Sequence, residues 1–179
     1  PLLIDYSGNG AAAISFKEDV HTGKNHGVYL MGENGNVAKC LQKQSEETLR
    51  AVGAVNDSDS VDIDTGAVIF SPDMLGSLNN LISTNGKPDE AKYKKYVNDT
   101  VRISLYADFL YPLAEDSSLD AFYKEKPEGE FSQDLTKCRT EIWKALRPYR
   151  MKLLRLAPAK FIHFGTTKEI LQLMCGGVD

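Results

Sequence analysis

The chain has 179 residues, a formal net charge of −4, 42% hydrophobic residues and 26% charged residues. That balance suits a single globular domain with a sizeable core and gives no electrostatic footing for nucleic acid or an anionic membrane. Its apolar runs are far shorter than a membrane span, and its start lacks a basic-then-apolar export signal.

In chain order, Leu2 to Tyr6 is a short apolar run closed by the turn Ser7-Gly8-Asn9-Gly10. Gly8-x-Gly10 lacks the third glycine or the lysine of a phosphate-cradling loop, so a plain turn is expected. Ala11 to Phe16 reads as a strand. Val28 to Met31 and Val37 to Leu41 then flank Glu33-Asn34-Gly35-Asn36, a hairpin pattern because Asn and Gly tolerate positive φ. The second arm ends on Gln42-Lys43-Gln44. Ser45 follows as a helix N-cap ahead of Glu46 and Glu47, with Gly53 as the stop. A cation is therefore delivered at a strand end, just before a helix begins.

Asn56 to Asp64 holds four aspartates, at 57, 59, 62 and 64. A calcium loop counted from Asp57 would need Gly in place of Asp62 and Glu in place of Val68, so that pattern fails. A solvated acidic turn accounts for Asp57 and Asp59. It does not account for Asp64, which lies inside the strand Val61 to Phe70, where a buried strand should not want a carboxylate. Ser71-Pro72-Asp73 opens a helix with its apolar face at Met74, Leu75, Leu78, Leu81 and Ile82.

Gly86-Lys87-Pro88 breaks that helix, and Asp89 to Val97 predicts an exposed lysine-rich one. The four-residue spacing of Leu105, Phe109 and Leu113 predicts a helix over 103–113, with Asp108 facing solvent by default. Leu135 to Leu146 marks the longest helix, Met151 to Ala157 and Lys160 to Phe164 two more strands, and Gly165-Thr166-Thr167 the cap of a last helix. Strands alternating with helices, several of them nearly all apolar, predict an α/β fold: a mixed, mostly parallel sheet flanked by helices, in one domain. The three widely spaced cysteines form neither a disulfide framework nor a metal knuckle, which fits a reducing cytoplasm. His26 and His163 have no metal-ligand spacing to a partner. The start at Pro1 and the end at Asp179 read as the limits of a piece of a longer protein.

The order of the motifs is more specific than any one of them. His26-Gly27-Val28, Gln42-Lys43-Gln44, Asp64-Thr65-Gly66 before an apolar strand, Tyr106-x-Asp108-Phe109-Leu110 and Phe161-Ile162-His163-Phe164-Gly165-Thr166-Thr167-x-Glu169 occur in one chain. In this order they resemble the sugar-1-phosphate nucleotidyltransferases, most closely the fucose-1-phosphate guanylyltransferase (L-fucokinase) family, over about residues 14–173.

The resemblance implies a nucleotide-diphospho-sugar transferase-like, Rossmann-like domain that moves a nucleotidyl group from GTP to L-fucose 1-phosphate, with Mg²⁺ on the phosphates. It implies that Lys43 pairs with the sugar phosphate, that Gly27 lies against the sugar ring, and that Asp64 binds sugar hydroxyls. His26, Thr65, Gly66 and His163 complete the implied substrate-binding set. His163 stands where many relatives place a metal-binding aspartate, and Gln42 and Gln44 replace the Glu and Pro that commonly flank the lysine. The family's glycine-rich nucleotide loop would lie upstream, so the chain reads as the sugar-binding half of a catalytic domain. Two rivals stand beside it: an aspartic protease built on Asp64-Thr65-Gly66, and a non-catalytic sugar-phosphate-binding module.

Overall fold

A computed structural model describes residues 6–159 and 166–176. The first strand, β1 (Gly10–Asp19), runs through α1 (Val20–Gly23) into the hairpin β2 (Gly27–Met31) and β3 (Val37–Gln42). At its tip Asn34 and Gly35 both take positive φ, 60° and 71°, as the Asn-Gly pair requires. Ser45 accepts a hydrogen bond from the Thr48 amide and so caps α2 (Glu46–Ala51), while Gly53 at φ 78° ends the turn.

Strand β4 (Ser60–Phe70) leads to α3 (Pro72–Ile82), capped by Ser71 with Pro72 in the first turn. A two-residue pair, β5 (Ser83–Thr84) and β6 (Lys87–Pro88), turns the chain into α4 (Glu90–Tyr96). Next come a π-helical segment (Leu105–Leu110), a 3₁₀ turn (Tyr111–Leu113) and α5 (Leu119–Phe122). The longest helix is α6 (Gln133–Leu146), followed by β7 (Arg150–Leu156) and α7 (Thr167–Gly176). The strand expected at Lys160 to Phe164 lies outside the described residues.

The result is α/β, a mixed five-stranded sheet in the order β3-β2-β4-β1-β7 with helices against it. Its parallel pair among the described strands is β1 with β7; the other described pairs are antiparallel, because β2 and β3 form a hairpin and β4 runs back along both β2 and β1. An antiparallel bridge from Asn36 to Lys152 brings the hairpin back toward β7, so the sheet curls.

Two apolar clusters fill the two sides of the sheet. Phe16, Val28, Leu49, Val61 and Ile63 form the smaller one, beneath α2. Ala11, Ala13, Tyr29, Met74, Leu110, Phe122, Ile142 and Met151 belong to the larger one, covered by α3, α6 and the π-helical segment. Alternation along each strand assigns these residues to their faces.

The 103–113 stretch departs from a regular helix. Asp108 faces inward, fully buried, where its Oδ1 accepts from Arg139 Nε at 2.8 Å and its Oδ2 from the Ser104 amide at 2.8 Å. The wider π turn coincides with that capture, and the default placement of Asp108 in solvent is overturned. Arg139 also donates through Nη1 to the carbonyls of Phe122 and Glu125, at 2.9 and 2.8 Å, and lies over the Phe122 ring. One guanidinium thus ties the π-helical segment and the α5 region to α6.

Candidate functional site

Strand register builds the site in rungs. On one rung Gln42 is opposite Gly27, and Asp64 is opposite Ser15, which is in turn opposite Arg155. Gly27 and Asp64 join the two halves: a Cβ placed on Gly27 would lie 2.8 Å from Gln42 Nε2 and 3.2 Å from Asp64 Cβ. A side chain there would collide, so glycine keeps the sheet surface beside Asp64 low. The next rung on the same face holds Cys40, Tyr29, Asp62 and Lys17. Residues two apart on a strand share a face, so Asp62 and Asp64 both look the same way.

Between the Ala13–Val68 and Ser15–Asp64 pairs, β4 carries Thr65, Gly66 and Ala67 against the single residue Ile14. This bulge is held from within. Thr65 Oγ1 donates to the Ile14 carbonyl at 2.7 Å and accepts from the Ala67 amide at 3.2 Å, while the Gly66 amide donates to Asp64 Oδ1 at 2.8 Å. Gly66 sits at φ 76°, a conformation glycine adopts without steric cost. Thr65 and Gly66 therefore shape the site and fix the Asp64 carboxylate, their own polar groups being committed to that task. Bulges re-aim side chains in this manner and are common beside active sites.

Asp64 is 9% exposed and pairs with no cation among the described residues. Burial pushes its carboxyl above the ordinary range, opposed first by the Gly66 amide, and the Tyr29 and Tyr106 phenols stand near it. Both phenols are pushed up in turn, first by burial and then by the Asp64 charge, Tyr106 to about 12. Burial, followed by that same charge and that of Glu125, also pushes the Cys40 thiol up. The Tyr29 and Ser15 hydroxyls, 2% and 0% exposed as residues, make no hydrogen bond. Buried hydroxyls are rarely left so, and these two flank Asp64 on the sheet.

Asp62 is the opposite case. Arg155 grips it with Nε on Oδ1 at 2.7 Å and Nη2 on Oδ2 at 2.6 Å, and Lys17 Nζ reaches Oδ2 at 3.1 Å.

Lys43 follows directly on β3 with its side chain exposed and its backbone at φ 47°. Its amide donates to the His26 carbonyl at 3.0 Å, which ties the end of β3 to the start of β2. Its ammonium meets no carboxylate among the described residues, and α2 begins three positions later. His26 is half-buried beside Gly27. His163 lies outside the described residues. The structure thus brings Gly27, Asp64, Thr65 and Gly66 together and sets His26 and Lys43 at the adjoining strand ends.

No three His, Cys, Asp or Glu residues converge on a possible metal site among the described residues. Asp62 is already bound by two cations and Asp64 has no second carboxylate beside it among the described residues, so these residues do not fit Mg²⁺. Among the described residues no second carboxylate is paired with Asp64, as a shared-proton protease dyad would need. An apolar groove of about 500 Å³ between α3 and α4, lined by Leu75, Leu78, Tyr93 and Phe109 among others, contains none of the site residues.

Sequence reasoning missed Ser15, Tyr29, the Lys17–Asp62–Arg155 cluster and the role of Asp108. The two-residue spacing of Asp62 and Asp64 was the available sign that a polar patch shares one strand face.

A family model, the fucose pyrophosphorylase domain, matches residues 3–179. The chain therefore belongs to that family of sugar-phosphate nucleotidyltransferases, in agreement with the resemblance in its motifs. No curated protein and no solved structure matches it. No described helix is long and apolar enough to cross a membrane.

Proposed function

We propose that this chain is the sugar-phosphate half of a fucose-1-phosphate guanylyltransferase. A phosphate oxygen of L-fucose 1-phosphate attacks the α-phosphorus of GTP, the α–β bridge breaks, and GDP-fucose and pyrophosphate form. The observation that carries this reading is the rung Gln42–Gly27–Asp64, a side-chain-free step beside a buried carboxylate that no cation among the described residues neutralises. A sugar ring on Gly27 would present its hydroxyls to Asp64, and the unpaired ammonium of Lys43 at the open end would meet its phosphate. His26 borders the same floor. Mg²⁺ belongs to this reading through the family alone.

Charge gathers on the bridging and leaving oxygens in the transition state, and a placed ammonium is worth more there than at an open surface. Lys43→Ala in the full-length protein should cut turnover by roughly 10²–10³, the typical effect of losing one preorganised donor. Its melting temperature should hold, since the side chain is exposed. Near-normal turnover would refute the assignment. We further propose that the triphosphate-binding loop lies outside these residues, so the isolated chain should release no pyrophosphate from GTP and L-fucose 1-phosphate; release at the full-length rate would overturn this part.

A further inference from the structure

The π-helical segment lies over the bulge: a Cβ on Gly66 would come within 3.3 Å of the Tyr106 hydroxyl. Tyr106 is two residues from Asp108, whose carboxylate is locked to Arg139 and to the Ser104 amide. Segments of this kind inside helices recur at functional sites because they redirect a side chain. Here the anchor at Asp108 holds a phenol beside Gly66, whose amide fixes the one buried carboxylate of the rung.

We propose that Tyr106 is a positioning residue that keeps Asp64 ionised and aimed at the sugar hydroxyls. This deepens the guanylyltransferase reading and rests on it. An ionised carboxylate only accepts hydrogen bonds, so it can receive two sugar hydroxyls at once. A protonated one would turn one oxygen into a donor and lose half of that recognition.

Among the described residues no cation is left to keep Asp64 charged. From β2 it faces Tyr29, from β3 Cys40, and from β1 Ser15, which does not ionise. The nearby cations on β1 and β7, Lys17 and Arg155, are both engaged with Asp62 on the same strand. What opposes burial is the Gly66 amide and the phenol of Tyr106, since the Tyr29 hydroxyl makes no hydrogen bond. Of the two phenols Tyr29 is buried in the core, whereas Tyr106 is partly exposed and sits on a separate segment.

The test uses the full-length protein, with a carboxyl ¹³C NMR titration of Asp64 and the KM for L-fucose 1-phosphate followed against pH. In Tyr106→Phe, Asp64 should titrate at higher pH than in the unsubstituted protein. The acid-side rise in sugar-phosphate KM should move up in pH with it. Near that limb the KM should be several-fold higher, up to about tenfold, the effect of one hydrogen bond, while the KM for GTP stays unchanged. An unmoved Asp64 titration in Tyr106→Phe would overturn the proposal. Asp64→Asn separates the two layers. If it binds L-fucose 1-phosphate as tightly as the unsubstituted protein, the sugar reading of Asp64 fails and the proposal with it. If it weakens binding while Tyr106→Phe leaves both the titration and the KM profile unmoved, the sugar reading stands and the proposal alone is refuted.

Discussion

Asp62 and Asp64 lie on neighbouring rungs of one strand face, both buried, and the chain treats them in opposite ways. The Asp62 rung is closed: a bidentate arginine from β7 and a lysine from β1 satisfy both oxygens and tie three strands together. The Asp64 rung is open. Its carboxylate has a backbone amide, the nearby Tyr106 phenol, a glycine where a side chain would cover it, and the unpartnered hydroxyls of Tyr29 and Ser15 around it. Burying a charge without a counter-charge costs stability, so a carboxylate kept that way points to a requirement outside the fold. The difference between the rungs separates a carboxylate that builds the sheet from one that the sheet presents.

The closed kind of carboxylate has its extreme at Asp108, and the largest effect is expected there. Removing one partner of a fully buried ion pair strands the other, at a cost of about 3–5 kcal/mol. Asp108→Ala leaves the Arg139 guanidinium, 1% exposed, without its carboxylate. Urea unfolding should show the loss in the denaturation midpoint. A shift below about 1 kcal/mol would mean that the backbone carbonyls around Arg139 are sufficient, and that Asp108 is not a closed carboxylate in this sense.

These contrasts follow the range over which sequence speaks. The Asn34-Gly35 turn, the Ser45 and Ser71 caps and the Gly53 stop were all legible, because each is decided by residues a few positions apart. The motif order was legible too, and carried the family. Asp108 and Arg139 are 31 positions apart and Asp62 and Arg155 are 93 apart, so no local pattern could pair them. The four-residue spacing of Leu105, Phe109 and Leu113 marked a helix, but the π turn depends on where Arg139 sits. Asp64 stood out because it broke the apolar run. Its phenol neighbours did not, since Tyr29 and Tyr106 pass as ordinary core residues until the sheet curls and the π-helical segment covers the bulge.

A smaller loss is expected at Asp62. Lys17 and Arg155 are each 36% exposed in their side chains, so solvent screens part of what the pairing contributes. Asp62→Ala should therefore cost roughly 1–2 kcal/mol, read by thermal or urea unfolding, well short of the Asp108 effect. It should also make stability at neutral pH less sensitive to salt, since the screened pairs are gone. A variant as stable as the unsubstituted protein would erase the distinction drawn between the two rungs.

The smallest shift is expected at Asp64, and with the opposite sign. Burial is the largest influence on this carboxyl and raises it above its ordinary 3.8. A group raised on folding contributes stability that is fully present below the unfolded value and is lost as pH rises through the folded value. At neutral pH the ionised Asp64 is therefore a net burden on the fold. Asparagine keeps an oxygen for the Gly66 amide and carries no charge, so Asp64→Asn should raise the melting temperature at neutral pH. About 1 kcal/mol in a chain of this size corresponds to roughly 2–4 °C. The gain should shrink as pH falls through the folded value and vanish below 3.8, where Asp64 is protonated and as neutral as the amide. Sugar-phosphate binding should weaken in the same variant, so stability and recognition would move in opposite directions. A variant that melts lower than the unsubstituted protein at every pH would place Asp64 with Asp62, as a carboxylate that holds the sheet together.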